Sequence, residues 1–217
     1  MFNFNDRLKT RKVIRWLMAL ALLLFALLTT FIIIYPTAFF DLEFTEEVQE
    51  QRNPALDILM KGISWFGYMP VSLITVLLTA LVFFLLKYKR ESLFIVLTLL
   101  SGAVNQTIKV LVNRPRPTED VVQIIEKANH QSFPSGHVVF YVVFFGFVTL
   151  LMYSKNKLKK WVRILVAGLS LFLIVTVPLS RVYLGAHWFT DVTAGFLVGF
   201  ILLTILGSFY FKTKKTS

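Results

Sequence analysis

Residues 16–35 read Trp-Leu-Met-Ala-Leu-Ala-Leu-Leu-Leu-Phe-Ala-Leu-Leu-Thr-Thr-Phe-Ile-Ile-Ile-Tyr, twenty positions without a charge. As a helix rising 1.5 Å per residue, such a run reaches about 30 Å, the thickness of a bilayer's hydrocarbon core. Arg7, Lys9, Arg11, Lys12 and Arg15 stand before it, and Tyr35-Pro36 ends it without a small-residue cleavage site. It is expected to be a retained helix, since it is longer than the apolar core of a secretory leader.

Working outward, five further apolar runs lie at residues 70–86, 92–112, 137–153, 164–179 and 188–211. The expected fold class is all-α: an integral membrane protein of six transmembrane helices. No repeat, low-complexity tract or linker divides the chain, so residues 1–217 are expected to form a single membrane-embedded domain. The composition agrees, with 56% hydrophobic and only 16% charged residues and a mean hydropathy of +0.69, too apolar for an ordinary soluble domain. The absence of cysteine excludes disulfides, thiolate metal ligands and cysteine nucleophiles. Any chemistry is left to His, Ser, Asp, Glu, Lys and Arg.

A net charge of +11 would suggest a nucleic-acid partner in a soluble chain. Here the charges sort by loop. With the N-terminus in the cytoplasm, sixteen of the 23 Lys and Arg fall on that side, opposed only by Asp6 and Glu91. The other side carries seven bases against ten acids. The positive-inside bias therefore places both termini in the cytoplasm. The expected partner is the bilayer, with no nucleic acid.

Between the first two runs, residues 41–61 interleave Glu43, Glu46, Glu47, Glu50 and Asp57 with Phe44, Val48, Leu56, Ile58 and Leu59. The stretch reads as one or two amphipathic helices on the outer interface, with Asn53-Pro54 as the place for a break, or as a solvated loop with a helical tendency.

Ionisable residues at the ends of spans are the natural places to look for function, because charge at membrane depth needs a cavity or a partner. Three clusters stand out, all on the outer face in this topology. In the first, Lys109 closes the third span and Arg116-Pro117 follows in a proline-stiffened exit; they suit an anion, or equally a snorkelling lysine beside interfacial arginines. The second, Pro134-Ser135-Gly136-His137, starts the fourth span and suits a phosphate at a helix N-terminus, though it is also an ordinary turn and helix start. The third runs from Ser180-Arg181 to His187 and Asp191. If a helix starts near His187, Asp191 lies four residues on along one face and can hold one ring proton, leaving the other nitrogen as nucleophile or base; the alternative is a helix-start staple. Asn105, inside the third span, suits a structural hydrogen bond between helices, and His130 sits in a polar loop as a surface residue. Together the clusters describe an oxyanion site with acid/base groups and too few ligands for zinc.

These motifs, with their spacing, resemble the signature of the type 2 phosphatidic acid phosphatase family, which is related in its core to vanadium haloperoxidases. That signature is Lys, six residues, Arg-Pro; then Pro-Ser-Gly-His; then Ser-Arg, five residues, His, three residues, Asp. The chain matches it at Lys109 and Arg116-Pro117, at Pro134 to His137, and at Ser180-Arg181, His187 and Asp191. The resemblance implies a lipid phosphatase of the cell membrane with no cofactor and no metal. It implies that His187 attacks phosphorus, oriented by Asp191, that His137 protonates the leaving oxygen, and that Lys109, Arg116, Ser135, Gly136 and Arg181 hold the phosphoryl oxygens. The small size is similar to bacterial members acting on phosphatidylglycerophosphate, the substrate expected here, or on undecaprenyl pyrophosphate, the alternative. A transporter lacks a reason for two histidines beside three cations, and a haloperoxidase would need bound vanadate.

Overall fold

A computed structural model of the chain describes residues 4–155 and 157–213. Lys214 and Lys215, counted above among the basic residues, lie outside the described residues, as do the side chains of Arg7, Lys9 and Arg11. The described residues form helices α1 (Phe4–Ile34), α2 (Phe39–Glu50), α3 (Pro54–Ser64), α4 (Val71–Leu85), α5 (Lys89–Leu97), α6 (Leu100–Val112), α7 (Gly136–Ser154), α8 (Lys160–Tyr183) and α9 (Phe189–Thr213). Between α3 and α4 lies a 3₁₀ turn, Trp65–Gly67.

Among the described residues, five segments are long and apolar enough to cross a membrane: Lys12–Ile34, Lys89–Val112, Gly136–Ser154, Lys160–Tyr183 and Phe189–Lys212. The expected span at 70–86 is α4, whose 15 residues reach only about 22 Å. It has the length of a crossing when joined to Pro54–Gly67, from which it is bent by 58°. The expected span at 92–112 is likewise broken between α5 and α6. There the Thr98 hydroxyl donates to Ile95 O at 2.6 Å and the Ser101 hydroxyl to Thr98 O at 2.7 Å. The backbone follows with tighter bonds, from Thr98 N to Ile95 O and from Ser101 N to Thr98 O.

Helix α7 is the axis of the bundle. Val138, Tyr141, Phe147 and Leu151 along it are fully buried, and α7 packs chiefly between α8 and α9. Leu22, Leu27, Phe172 and Val175 on α1 and α8 stay exposed, as suits faces whose solvent is hydrocarbon. Gly195 lets α9 close on the start of α7: a Cβ there would lie 2.9 Å from Ser135 O. That approach brings Ser135 N to Asp191 O at 3.0 Å.

The stretch at 41–61 is two helices, parted at residues 51–53. Asn53 caps α3 by accepting from Leu56 N at 3.0 Å, with Pro54 in the first turn. On α2 the polar Asp41, Thr45 and Gln49 turn inward, whereas Phe39 and, on α3, Ile58 remain exposed. Gln49 ties α2 to the rest by donating to Gln123 O at 2.8 Å and Tyr183 O at 2.9 Å.

Candidate active site

The three sequence clusters meet where α7 and α9 begin and α6 ends. Helix α9 starts at Phe189, one residue into the apolar run expected at 188–211, and Asp191 Oδ2 accepts the N–H of Trp188 at 2.9 Å and so caps the helix from its third position. His187 therefore stands in the loop just before α9. Its Nδ1 faces the same carboxylate oxygen at 3.5 Å and the Ser132 hydroxyl at 3.4 Å. Ser132 in turn donates a short hydrogen bond to Asp191 Oδ2.

The other ring nitrogen, Nε2, lies 3.3 Å from Arg116 Nη1. A guanidinium only donates, so Nε2 must carry the lone pair and Nδ1 the proton. Burial first, then the charges of Arg116, Lys109 and Arg181, hold the His187 imidazole well below its ordinary value. At neutral pH the ring is uncharged.

The cations are placed by a loop that they also hold. Lys109 Nζ donates to Gln131 O at 2.6 Å and Ser132 O at 3.1 Å. Arg116 donates to His130 O at 2.9 Å, Gln131 O at 3.2 Å and Ala186 O at 2.5 Å. Burial and then the Arg181 charge pull the Arg116 guanidinium down to about 10, still protonated at neutral pH. Arg181, 1% exposed, donates to Tyr68 Oη at 3.0 Å and Glu126 Oε1 at 3.0 Å, and Tyr68 donates a short bond to Glu126. The hydrogen-bond partners of His130 involve its carbonyl, and its side chain is exposed.

His137 opens α7. Its ring meets the Tyr68 ring edge to face at 4.8 Å between centroids. Gly67 lies directly behind it: a Cβ at that position would lie 2.2 Å from His137 Cδ2. Among the described residues, four buried side-chain polar atoms have no hydrogen-bond partner: Ser135 Oγ, His137 Nε2, Arg181 Nε and Asn105 Oδ1. Buried polar atoms are almost always paired, so a cluster of unpaired ones marks where a polar ligand belongs. The Oδ1 of Asn105, a residue expected to bond another helix, has no partner among the described residues.

Several supports went unread in the sequence. Arg114, only 2% exposed, donates to Asp191 Oδ1 at 2.6 Å, Thr190 Oγ1 at 2.6 Å, Asp41 Oδ2 at 2.7 Å and Pro36 O at 2.9 Å. Asp41 also accepts Thr190 N at 2.9 Å. Two carboxylates thus share one planar fork, and α2 is tied to the residue that faces His187. The signal available was the pair Arg114-Pro115-Arg116-Pro117, of which only the second arginine was given a role. Ser132, Tyr68 and Glu126 carried no local signal. Among the described residues, no three His, Asp or Glu side chains gather in a way that would hold a metal ion.

The geometry has counterparts in known proteins. The PAP2 superfamily model matches residues 90–215, more than half of the chain. The chain belongs to the PAP2 superfamily. It is 32% identical over 169 residues to phosphatidylglycerophosphatase B of Bacillus subtilis, covering 76% of this chain and 80% of that one. It is also 29% identical over 197 residues to an undecaprenyl-diphosphatase of Sulfolobus acidocaldarius, covering 87% of each. In fold it is similar to the crystal structure of a transmembrane PAP2-type phosphatidylglycerolphosphate phosphatase from Bacillus subtilis, with a TM-score of 0.78 over 90% of this chain and 96% of that one at 24% identity. The structure of Aquifex aeolicus LpxE follows at 0.60, over 79% and 97% with 22% identity. The family that the motifs resembled is the family found, and the chain is a multi-pass membrane enzyme of it, a phosphatase of lipid phosphates.

Proposed function

We propose that this enzyme removes the terminal phosphate of phosphatidylglycerophosphate, giving phosphatidylglycerol, through a phosphohistidine on His187. The observation that carries this reading is the His187 ring, whose Nε2 lone pair faces a cation while its Nδ1 faces Asp191. Nε2 attacks phosphorus in line with the lipid oxygen, the P–O bond to that oxygen breaks, and His137 gives it a proton. Water then attacks the phosphohistidine, His137 takes its proton, and phosphate leaves. Lys109, Arg116, Arg181, the Ser135 hydroxyl and the Gly136 N–H hold the three phosphoryl oxygens, whose charge shifts in the transition state. Asp191 keeps the proton on Nδ1 throughout.

The bent pair of α3 and α4 supplies the sixth crossing in this reading, and the loop charges put both termini in the cytoplasm and the site on the outer side. The inward Asp41 and outward Phe39 fit α2 lying at that interface. A cavity of about 460 Å³ between α4, α6 and α7, walled by Met69, Leu73, Leu99 and Phe140, reaches His137. A lipid can bring its headgroup to His137 there while its chains stay among the helices. The alternative substrate, undecaprenyl pyrophosphate, is favoured by the likeness to the Sulfolobus acidocaldarius protein.

The test is phosphate release by the purified protein in detergent with EDTA, from phosphatidylglycerophosphate, phosphatidic acid and undecaprenyl pyrophosphate side by side. Release that survives EDTA and vanishes in His187→Ala is expected, fastest from phosphatidylglycerophosphate. Release unaffected by the substitution would overturn the mechanism, and a preference for the pyrophosphate would move the assignment to the alternative.

A further inference from the structure

Three of the four unpartnered buried atoms belong to the residues that the mechanism uses, Ser135, His137 and Arg181; the fourth, Asn105 Oδ1, belongs to a residue outside the signature. Asn105 is 6% exposed. It sits on a polar stripe of α6, with Ser101 one turn before and Lys109 one turn after, all three buried. Ser101 and Lys109 are each satisfied, by Thr98 O and by the carbonyls of Gln131 and Ser132. Among the described residues, Asn105 Oδ1 is the one buried side-chain polar atom of the stripe without a hydrogen-bond partner. A polar side chain kept in a membrane helix without a partner runs against the ordinary reason for having one there, which is to glue helices together.

Its position says what the amide is for. The carboxamide rests against Gly136, where a Cβ would lie 3.1 Å from Asn105 Nδ2. Asn105, Gly136 and His137 line the same cavity. His137 meets the leaving oxygen, so a group beside His137 meets whatever is carried next to that oxygen. A carboxamide both donates and accepts, which matches a hydroxyl better than it matches acceptor-only phosphate oxygens or an alkyl chain.

We propose that Asn105 hydrogen-bonds a hydroxyl one carbon beyond the carbon that bears the leaving oxygen, and so selects glycerol-type phosphate monoesters over alkyl phosphates and prenyl pyrophosphates. This rests on the reading of His137 as the acid for the leaving oxygen. It gives α6 two tasks, with Lys109 on the phosphoryl group and Asn105 on the part that departs.

The experiment compares kcat/KM of the full-length protein in mixed micelles for phosphatidylglycerophosphate and for a long-chain n-alkyl monophosphate, which lacks the hydroxyl. It uses the wild type, Asn105→Leu as a near-isostere, and Asn105→Ala in case the leucine is not accommodated. In both variants the ratio of phosphatidylglycerophosphate to alkyl phosphate is expected to fall about ten- to a hundredfold, the size of one buried hydrogen bond lost from a transition state, and Asn105→Ser to recover part of it. A ratio within twofold of the wild type in both variants, whether the two activities fall together or stay, would overturn the proposal and leave Asn105 with a packing role. Absence of release from either substrate by folded wild-type protein would instead overturn the phosphatase reading itself, and this proposal with it.

Discussion

Helix α7 begins in one buried polar cluster and ends beside another, and the two are built differently. Near its last residues Glu91 accepts from Tyr210 Oη at 2.7 Å and pairs with Lys155, while Arg90 donates to Tyr210 O and lies 4.8 Å over the Tyr210 ring. None of the unpartnered buried side-chain atoms among the described residues falls in that cluster. At the first residues of α7, four such atoms remain. Both ends bury charge at the edge of an apolar bundle. One closes on itself and fastens α5, α7 and α9; the other spends its internal bonds on holding Asp191 and the 129–132 loop, leaving open the groups that face a substrate. Burial of charge alone does not mark an active site, but incomplete satisfaction of it does.

The sharpest way to break this contrast is Asp191→Asn. The amide can turn an N–H toward His187 Nδ1, which drives the ring proton to Nε2 and removes the lone pair. Phosphate release is expected to fall about 10³- to 10⁴-fold, with the protein still eluting as folded; a loss under tenfold would deny Asp191 its part in setting the tautomer. Next in size is Arg114→Gln, which leaves Asp41 and Asp191 buried without their shared cation. Breaking a buried pair in this way costs about 3–5 kcal/mol, so a clear drop in Tm in detergent should accompany the loss of activity, and an unchanged Tm would mean that the fork contributes nothing net. Glu91→Gln at the other end should cost about 1–2 kcal/mol, because Lys155 keeps some contact with water. Its kcat/KM should stay within twofold of the wild type. A large kinetic effect there would erase the distinction between latch and site.

What could be read from the sequence follows the range of the interactions. Lys109, Arg116, Arg181, His187 and Asp191 were legible because each stands at a span end, where a charge needs a reason, and because the spacing within each cluster is local. Two irregularities were not foreseen: hydropathy averages over the interruption at residues 98–99, between α5 and α6, and over the 58° bend before α4. Asp41 stands at the start of the stretch at 41–61 and has no role in the sequence reading. Nothing in its neighbours says that it turns inward to meet Arg114, 73 residues away. Asn105 was seen but given a helix partner, the usual use of its type, and only the packed structure leaves it without one.

The smallest effect separates electrostatics from burial at His187. The imidazole resists protonation, first through burial and then through Arg116, Lys109 and Arg181. The unfolded chain takes up that proton near pH 6.5 whereas the folded protein does not, so acidification below 6.5 should weaken the fold and alkalinity above it should not. With ¹⁵N-labelled histidine, the His187 ring signals are expected to stay those of the neutral Nδ1–H form as the pH falls through 6.5. Arg116→Gln removes the charge facing Nε2 but little of the burial, so the midpoint should rise while remaining under 6.5. A midpoint already at 6.5 in the wild type would mean that water reaches the ring. A midpoint unmoved by the substitution would mean that burial alone keeps the nucleophile neutral.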